Sequence, residues 1–352
     1  MNTIQKQMLV TLTFVAAALL AASPANADPL FGRDVLKFSQ QPMDATPIVR
    51  PNGTTQLFWG HDELSTAYSQ FNAAGQTPYR GRFMADDFAN KFSSPVVHVK
   101  WWGSYLNNSI NQGGLSVDKF LISFEQDVPA DPNDPNSFSR PGTPLLNQIV
   151  RRGPLAPGSG TFTEAAISAG GPPLNETLYE YNAELHLGKE FFQNPDTVYW
   201  LKIVAMVDLP QGMNINPLQP PTFVPRWGWH NRDYTIMDPL ASTPPAVSPG
   251  EHLDGSFGVN PIWHFQDDAV TGIVGIDHLS TPMGQIMPIV RQQDYQPTRY
   301  LAGADGPMLI GNFSKDLAFE LYTTAVPEPT TCALMVLGLA GVVGLGRPSR
   351  RK

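Results

Sequence analysis

Proline and glycine are spread so widely along this chain that long helices have little room in it. The sequence contains 34 prolines and 30 glycines among 352 residues. Proline removes a backbone donor and breaks a helix, while glycine weakens one. Short strands joined by irregular loops are therefore the favoured structure.

A two-residue alternation of apolar and polar side chains is clearest in residues 178–187. Successive side chains of a strand point to opposite faces, so this pattern predicts one buried face and one wet face. The positions predicted to point inward are Tyr179, Tyr181, Ala183, Leu185 and Leu187. His186 falls on the wet face.

Residues 198–207 are apolar on both faces apart from Lys202, which is typical of a central strand between two layers. The other predicted strands are residues 96–102, residues 119–125 with Phe120, Ile122 and Phe124 inward, and residues 316–322 with Leu317, Phe319 and Leu321 inward. No sustained helical period occurs between them. We therefore predict an all-β fold for residues 28–325, an antiparallel two-sheet β-sandwich of jelly-roll or immunoglobulin-like type.

Segments rich in proline, asparagine, aspartate and glycine separate the predicted strands and cannot continue a ladder. They are residues 131–136, 152–160, 170–173, 211–225 and 242–255. No internal repeat and no linker divides the body in two.

The N-terminus has the layout of a secretory signal peptide. Lys6 precedes an apolar run at residues 8–22, and Ala25 and Ala27 form a small-x-small cleavage site. We predict a signal helix in residues 1–27 and a mature chain beginning near Asp28.

The C-terminal segment, residues 326–352, combines three features in a fixed order. Pro327, Glu328 and Pro329 come first, an apolar run at residues 332–346 follows, and four basic residues end the chain. The basic residues are Arg347, Arg350, Arg351 and Lys352. Because basic residues remain on the cytoplasmic side of a membrane, the body is predicted to lie outside.

This order of features resembles the PEP-CTERM sorting signal of exported bacterial proteins. The resemblance implies processing of the Pro-Glu-Pro triplet by a membrane protease of the exosortase type, with transient anchoring through a C-terminal hydrophobic helix. The apolar run is shorter than the about 20 residues that span a bilayer, so crossing requires local thinning or flanking residues. A permanent single-span anchor is the alternative.

Charge and cysteine content limit the partners of the mature chain. Removing the leader and the tail takes five of the 23 basic residues and one of the 31 acidic ones, which leaves a charge near −12. Such a charge argues against nucleic acid and anionic membrane as partners. The only cysteine, Cys332, lies in the tail, so the body has no disulfide.

Six short motifs give the body a second resemblance, to a family of exported bacterial β-sandwich proteins that commonly carry this tail. They are residues 85–88, 101–105, 198–201 and 226–229, Trp263 with residues 267–269, and residues 316–321. The resemblance extends from about Phe83 to Tyr322. It implies the fold and the location, and it supplies no catalytic residues.

Paired acids are the first candidate chemistry. Neighbours on a strand, such as Asp86 and Asp87 or Asp267 and Asp268, point to opposite faces and cannot act on one substrate bond. Anchoring of loops through backbone N–H groups, or Ca²⁺ binding, is the better interpretation. The loop at residues 131–136 carries oxygen ligands without the EF-hand spacing, so a polar turn is favoured over a structural Ca²⁺ site.

The seven histidines show no metal-ligand spacing, and no G-x-S-x-G motif is present. We predict no cofactor and no catalytic residue. The histidines are His61, His98, His186, His230, His252, His264 and His278.

Seven tryptophans are the most suggestive feature of the body: Trp59, Trp101, Trp102, Trp200, Trp227, Trp229 and Trp263. Sugars stack on exposed aromatic rings. Most of these rings are predicted to be core, but Trp227 and Trp229 are two residues apart and share a face if the chain is extended. They are the candidate residues for stacking a glycan.

Three functions remain open. The first is a non-enzymatic structural or adhesive protein of the envelope or matrix, since PEP-CTERM systems tend to accompany exopolysaccharide production. The second is a carbohydrate-binding module with exposed, coplanar tryptophans. The third is a secreted hydrolase, which requires a concave site with two carboxylates about 5 to 10 Å apart.

Overall fold

A computed structural model describes residues 32–42, 48–49, 55–56, 62–72, 75–131, 133–134, 137–168, 177–232, 269–277, 288–297 and 316–325. All of them lie in the compact unit Gly32–Lys352. These residues form an all-β fold, with two short 3-10 turns at Leu106–Asn108 and Gln112–Gly114. The predicted signal helix and C-terminal helix lie outside the described residues.

The described strands, numbered in chain order, are β1 (Val35–Gln40), β2 (Ile48–Val49), β3 (Thr55–Gln56), β4 (Asp62–Leu64), β5 (Thr66–Ser69), β6 (Phe71–Asn72), β7 (Gly75–Gln76), β8 (Tyr79–Phe88), β9 (His98–Tyr105), β10 (Lys119–Val128), β11 (Arg140–Arg152), β12 (Thr161–Ser168), β13 (Leu178–Glu184), β14 (Tyr199–Asp208), β15 (Trp227–His230), β16 (Val270–Asp277), β17 (Ile289–Pro297) and β18 (Phe319–Thr323). Within this part of the chain, no helix is long and apolar enough to span a membrane.

Fourteen described strands join in one large sheet. Twelve follow the order β1-β18-β9-β13-β12-β11-β10-β14-β5-β8-β16-β17, and β4 and β15 pair off this path. The pairs β2–β3 and β6–β7 form two separate small sheets. Most ladders are antiparallel, but β5 runs parallel to β14 and β12 runs parallel to β11. The sheet is therefore mixed, and the prediction of a purely antiparallel arrangement is wrong at these two pairings.

The large sheet closes on itself through β15. This strand pairs with β9 on one side and with β4 on the other. The chain continues from β4 through Ser65 into β5, which pairs with β14. Ser65 N–H donates to the Trp227 carbonyl at 3.0 Å, and the Ser65 carbonyl accepts from Ala205 N–H at 2.9 Å. Hydrogen bonds thus lead from β9 around the ring of strands and back to β9.

An aromatic core fills the interior of this ring. Trp101 stacks on Tyr181 with centroids 5.3 Å apart and planes 7° apart. Phe120 meets the edge of Trp227 at 4.9 Å, and Trp227 Nε1 donates to the Tyr181 hydroxyl at 3.0 Å. Such ring pairs contribute about 0.5 to 1.5 kcal/mol each beyond the area that they bury.

A second core lies on the other face of β10 and β14, under β8, β16 and β17. Leu121, Trp200, Val204 and Met206 point into it, while Phe120, Leu201 and Ile203 point into the ring. Consequently β14 is buried on both faces, as its uniformly apolar sequence predicted. Lys202 is also buried, on the side of the second core.

Several predicted strand faces are confirmed. Phe120, Ile122 and Phe124 of β10 are buried, as are Leu317, Phe319 and Leu321 around β18. In and just after β13, the predicted inward positions Tyr181, Ala183 and Leu185 are buried, Tyr179 is half-buried, and His186 is exposed. Leu187 is exposed, contrary to prediction, because β13 ends at Glu184 and the alternation does not outlast the strand.

Strand β11 was not predicted, because it contains Pro141 and Pro144. Proline cannot donate to a ladder and is tolerated where pairing is irregular. The pairing of β10 with β11 shifts register around Glu125, at the positions that face these two prolines. The irregular register therefore accommodates prolines that a regular central ladder would reject.

Candidate functional site

The face of β9 that points away from the aromatic core carries an unbroken line of polar and aromatic side chains. Trp101 faces the core, and its neighbours on either side face the opposite way. We call this line, made of His98, Lys100, Trp102 and Ser104, the β9 strip. The strip is flanked by β13 and β18, which pair with the two edges of β9.

Lys100 forms the centre of the strip. Its Nζ lies 3.3 Å from Glu320 Oε2 on β18 and 3.9 Å from Glu180 Oε2 on β13. The register explains the convergence, because Glu320 pairs with Lys100 and Glu180 with the next outward residue, Trp102. The two carboxylates thus share one cation.

Two rings complete the surroundings of Lys100. Nζ lies 5.9 Å from the Trp102 ring centroid and 5.6 Å from that of Tyr322. The Tyr322 hydroxyl donates to Glu320, and this bond and burial together raise the pKa of Tyr322. Because every acid here is already engaged by a cation or a hydroxyl, the arrangement is an ion-pair network across three strands.

His98 lies at the end of the strip and is neutral at pH 7. Its Nε2 is 3.2 Å from Asn182 Oδ1, and its ring centroid is 5.0 Å from that of Tyr322. Burial lowers the pKa of His98 to about 4, and the charges of Lys100 and Arg33 add to that effect. A neutral ring has one N–H, and the contact with the amide oxygen assigns that proton to Nε2.

Glu184 pairs with His98 across the ladder between β13 and β9, and it links three parts of the chain. Its side chain is fully buried, and Oε2 accepts from Arg33 Nε at 3.0 Å and from Gly158 N–H at 3.1 Å. Burial raises the pKa of Glu184 even though both donors favour the charged form. Sequence alternation assigned Glu184 to the wet face, but residues that precede β1 and the loop after β11 cover it.

At the far end of the strip, Ser104 Oγ donates to Asp62 Oδ2 at 2.6 Å, and His230 Nδ1 lies 3.1 Å from Asp62 Oδ1. The residue types are those of a catalytic triad, but the carboxylate occupies the middle position. In a triad the histidine must contact the hydroxyl in order to accept its proton. This constellation therefore joins β4, β9 and β15 and does not activate Ser104.

Two glycines allow these strands to approach closely. A Cβ on Gly103 would lie 2.4 Å from an atom of the Trp227 ring and 2.4 Å from the Gly228 carbonyl oxygen. A Cβ on Gly228 would lie 2.9 Å from the Asp62 Cβ. The glycines in the Trp-Trp-Gly-Ser and Arg-Trp-Gly-Trp motifs thus serve packing of β9 against β15.

The prediction that Trp227 and Trp229 form a glycan-stacking platform is wrong. They do share a face, but that face is the inner one, and both rings are fully buried. Trp229 Nε1 donates to the Ala318 carbonyl at 2.8 Å, and its ring packs against Phe319. A ring enclosed in this way presents no face to a sugar. Trp59 and Trp263 lie outside the described residues.

The sequence predicted that Asp86 and Asp87 anchor the backbone by accepting N–H hydrogen bonds. This prediction is confirmed for Asp86. Leu317 N–H donates to Asp86 Oδ2 at 2.9 Å. The nearby carboxylate of Asp316 pairs with Arg232 Nε at 2.5 Å and accepts from Gln40 Nε2 at 3.2 Å. Burial, followed by the charge of Asp316, raises the pKa of Asp86 well above its usual range. Burial therefore favours the neutral form of the Asp86 carboxyl group.

Sequence reasoning missed a buried ion pair in the second core. Lys202 Nζ lies 2.5 Å from Glu125 Oε1, which also accepts from Ser123 Oγ at 2.8 Å. Gln292 of β17 donates to Glu125 Oε2 at 2.6 Å, and Lys202 Nζ lies 4.4 Å from the Phe83 ring centroid. The sequence indicated this pair only through a single lysine in an apolar strand, and that lysine alone does not identify its partner.

The asparagine-rich loop at residues 131–136 is described only at Asp131, Asn133 and Asp134. Asp131 Oδ1 accepts from the backbone N–H of Asn133 at 2.9 Å, and Ser137 Oγ accepts from Asp131 N–H at 2.7 Å. These bonds are those of a polar turn. In the described part of the chain, no cluster of three or more His, Cys, Asp or Glu side chains is arranged to hold a metal ion.

Comparison with known proteins places the chain in a family. Residues 36–263, more than half of the sequence, match the family model described as a domain of unknown function, DUF7901. The chain belongs to this family. No curated protein and no solved structure matches it.

The DUF7901 match begins within β1, contains β2 to β15 and ends before β16, β17 and β18. The ion-pair network around Lys100 is therefore assembled from both sides of that boundary. His98, Lys100 and Glu180 lie within the match, whereas Glu320 and Tyr322 lie beyond it. The large sheet thus extends past the matched region, with β18 placed between β1 and β9.

Proposed function

We propose that this protein is exported to the cell surface or extracellular matrix by an exosortase-type sorting system, and that its β-domain has a non-enzymatic structural or adhesive role linked to exopolysaccharide. The observation that carries this proposal is the C-terminal order of Pro327-Glu328-Pro329, the apolar run at residues 332–346 and the basic end. That order resembles a PEP-CTERM signal. The signal-like leader at residues 1–27 is consistent with export.

The position of the tail relative to the fold supports this proposal. Strand β18 ends at Thr323, and Ala325 N–H donates to the Gly32 carbonyl at 2.7 Å. Residues 326–352 follow immediately. A sorting segment that begins after Ala325 is removable without loss of any described strand.

The chemistry of the polar clusters is consistent with a structural role. Asp86, Glu125 and Glu184 each accept from backbone or side-chain donors in the interior. Buried carboxylates of this kind join separate strands. We also propose that the architecture is a two-layer β-sandwich whose layers enclose the second core.

A secreted hydrolase is the second candidate, because two carboxylates, those of Glu180 and Glu320, form ion pairs with the same lysine, Lys100. Glycosidase carboxylates lie about 5 to 9.5 Å apart. Against this candidate, Lys100 pairs with both carboxylates. A carbohydrate-binding module built on Trp227 and Trp229 is not retained, since both rings are buried.

Intact-mass measurement of protein recovered from the cell surface tests the sorting proposal. Processing predicts a C-terminus that lacks the basic residues 347–352, and Glu328→Ala is expected to accumulate as a membrane-bound precursor. Glu328 is the only charge between two prolines that keep the backbone extended, so a protease has one ionic contact there. Thr330→Ala, a neutral change next to the triplet, is the matched control and is expected to be processed normally.

A surface protein that still ends in Lys352 would contradict processing and favour a permanent anchor. In that case Glu328→Ala changes nothing, while deletion of residues 347–352 alters the orientation in the membrane.

A further inference from the structure

One end of the strand bundle carries both ends of the described body. Strand β9 begins at this end, and β13 and β18 end there, as the pairing of His98 with Glu184 and with Tyr322 requires. Here Ala325 N–H donates to the Gly32 carbonyl at 2.7 Å. We call this the tail-proximal end, formed by residues 32–36, 89–97, 185–198 and 323–325.

Large apolar side chains are exposed at the tail-proximal end. Leu187 is 75% exposed, Phe192 70% and Phe92 45%, and Val35 and Leu36 are also exposed. Exposed apolar side chains gathered at one place on a surface mark an interaction site. These residues belong to three separate segments of the chain, so the fold gathers them.

The loops that present these side chains are fixed to each other. Asn90 Oδ1 accepts from Gln193 Nε2 at 2.8 Å, and the Asn90 carbonyl accepts from Asp196 N–H at 2.8 Å. Val96 and Phe191 exchange backbone hydrogen bonds of 2.8 and 3.0 Å. Phe92 and Phe192 therefore project from an ordered surface.

We propose that the tail-proximal end rests on the lipid surface of the membrane while the tail anchors the chain. This inference rests on the proposed function, because it requires the apolar run at residues 332–346 to lie in the bilayer. That run begins seven residues after Ala325, and a fully extended chain spans at most about 3.6 Å per residue, or about 25 Å in all. The tail-proximal end is thus held within reach of the headgroups.

The local charge permits this contact although the mature chain is acidic overall. Charged side chains of both signs occur at the tail-proximal end in equal number: Arg33, Lys91 and Lys189 against Asp34, Glu190 and Asp196. A locally balanced surface is not repelled by a neutral lipid surface, and its apolar side chains can enter the boundary between headgroups and acyl chains.

The opposite end of the bundle provides an internal control. Phe71 and Phe223 are 45% and 52% exposed there, beside the end of β5 and the loop before β15. Phe71 equals Phe92 in exposure and Phe223 is slightly more exposed, but both lie at the far ends of the strands. If only the tail-proximal end contacts lipid, the exposed residues at the two ends will differ in lipid contact. If exposed apolar side chains bind lipid non-specifically, they will not differ.

The test uses the full chain with Cys332→Ser, which removes the only native thiol, and one introduced cysteine at either Phe192→Cys or Phe223→Cys. Each variant carries an environment-sensitive fluorophore and is reconstituted into vesicles of phosphatidylcholine and phosphatidylethanolamine with brominated acyl chains. Because apolar anchors reach only the outer acyl region, quenching is expected to be at least about twofold stronger at position 192 than at position 223. Equal thermal unfolding temperatures of the two variants establish that both are folded.

Vesicle flotation separates failure of the inference from failure of the function. A chain that floats with the vesicles but is quenched equally at both positions is anchored without contact of this end, which overturns the inference alone. A chain that does not float lacks a membrane anchor, which overturns both the inference and the tail-based part of the proposed function.

Discussion

The backbone N–H of Leu317 donates to the carboxyl group of Asp86 at 2.9 Å, which links β8 to the segment that leads into β18. These two residues are 231 positions apart in sequence, and both are fully buried. A buried backbone donor needs a partner, so Asp86 fixes the path of the chain just before the closing strand.

Asp86→Ala is expected to lower the free energy of unfolding by about 1 to 3 kcal/mol, because it leaves Leu317 N–H buried without an acceptor. Asp86→Asn is the matched control. Since burial raises the pKa of Asp86 and so favours its neutral form, a neutral amide is expected to replace it with a smaller loss than Ala. Urea unfolding of both variants checks this; a loss for Asn equal to that for Ala would contradict the expectation.

Lys202 and Glu125 are expected to show strong coupling. Removing one partner, as in Lys202→Ala or Glu125→Ala, leaves an uncompensated buried charge and should cost about 3 to 5 kcal/mol. The double variant Lys202→Met with Glu125→Leu replaces the pair with apolar side chains of similar size and should cost much less than the sum of the single changes. Additive losses in a double-mutant cycle would show that the pair does not interact.

His98 is expected to make the protein acid-sensitive. Its pKa is about 4 in the folded state against 6.5 for the unfolded chain, so the unfolded state binds the proton more readily as the pH falls. The stabilisation that neutral His98 gives the folded state is fully present above pH 6.5 and is lost as the pH falls from 6.5 to 4. A shift of that size corresponds to about 3 kcal/mol at most.

Urea unfolding measured from pH 7.5 to 4 checks the His98 prediction. His98→Gln keeps an amide able to reach Asn182 but does not titrate in this range, so its stability should fall less steeply with acid. Parallel curves for the two proteins would assign the acid sensitivity to groups other than His98.

Phe319→Ala is expected to cost about 3 to 5 kcal/mol, as a truncation in a packed core. The Phe319 ring stacks on Phe38 at 5.1 Å and meets Phe88 at 6.2 Å and Trp229 at 5.9 Å. Phe192→Ala, at an exposed position, should change the free energy of unfolding by less than about 0.5 kcal/mol. A loss below about 1 kcal/mol for Phe319→Ala would mean that β18 does not close the core.

The strand predictions held where a local pattern was sufficient. The apolar character of β14 on both faces and the alternation in β13 and β18 follow from side-chain period and burial, which are properties of consecutive residues. Strand β11 was missed because its prolines are tolerated only through the irregular register of its pairing with β10. That register is a property of the pair of strands.

Trp227 and Trp229 show how far residue spacing alone can predict a functional site. Their spacing correctly predicted a shared face, but a spacing of two does not state whether the face looks inward or outward. The answer depends on the pairing of β15 with both β4 and β9, which closes the ring of strands around them.

The sequence by itself determined the all-β class, the central position of β14 and the absence of disulfides in the body, because each depends on composition or on the order of neighbouring residues. Only the tertiary structure decided that Glu180 and Glu320 meet on Lys100, that Asp86 anchors Leu317, and that both ends of the body emerge together. Those contacts join residues 80 to more than 200 positions apart. Their formation depends on strand order, and no local pattern in the chain records that order.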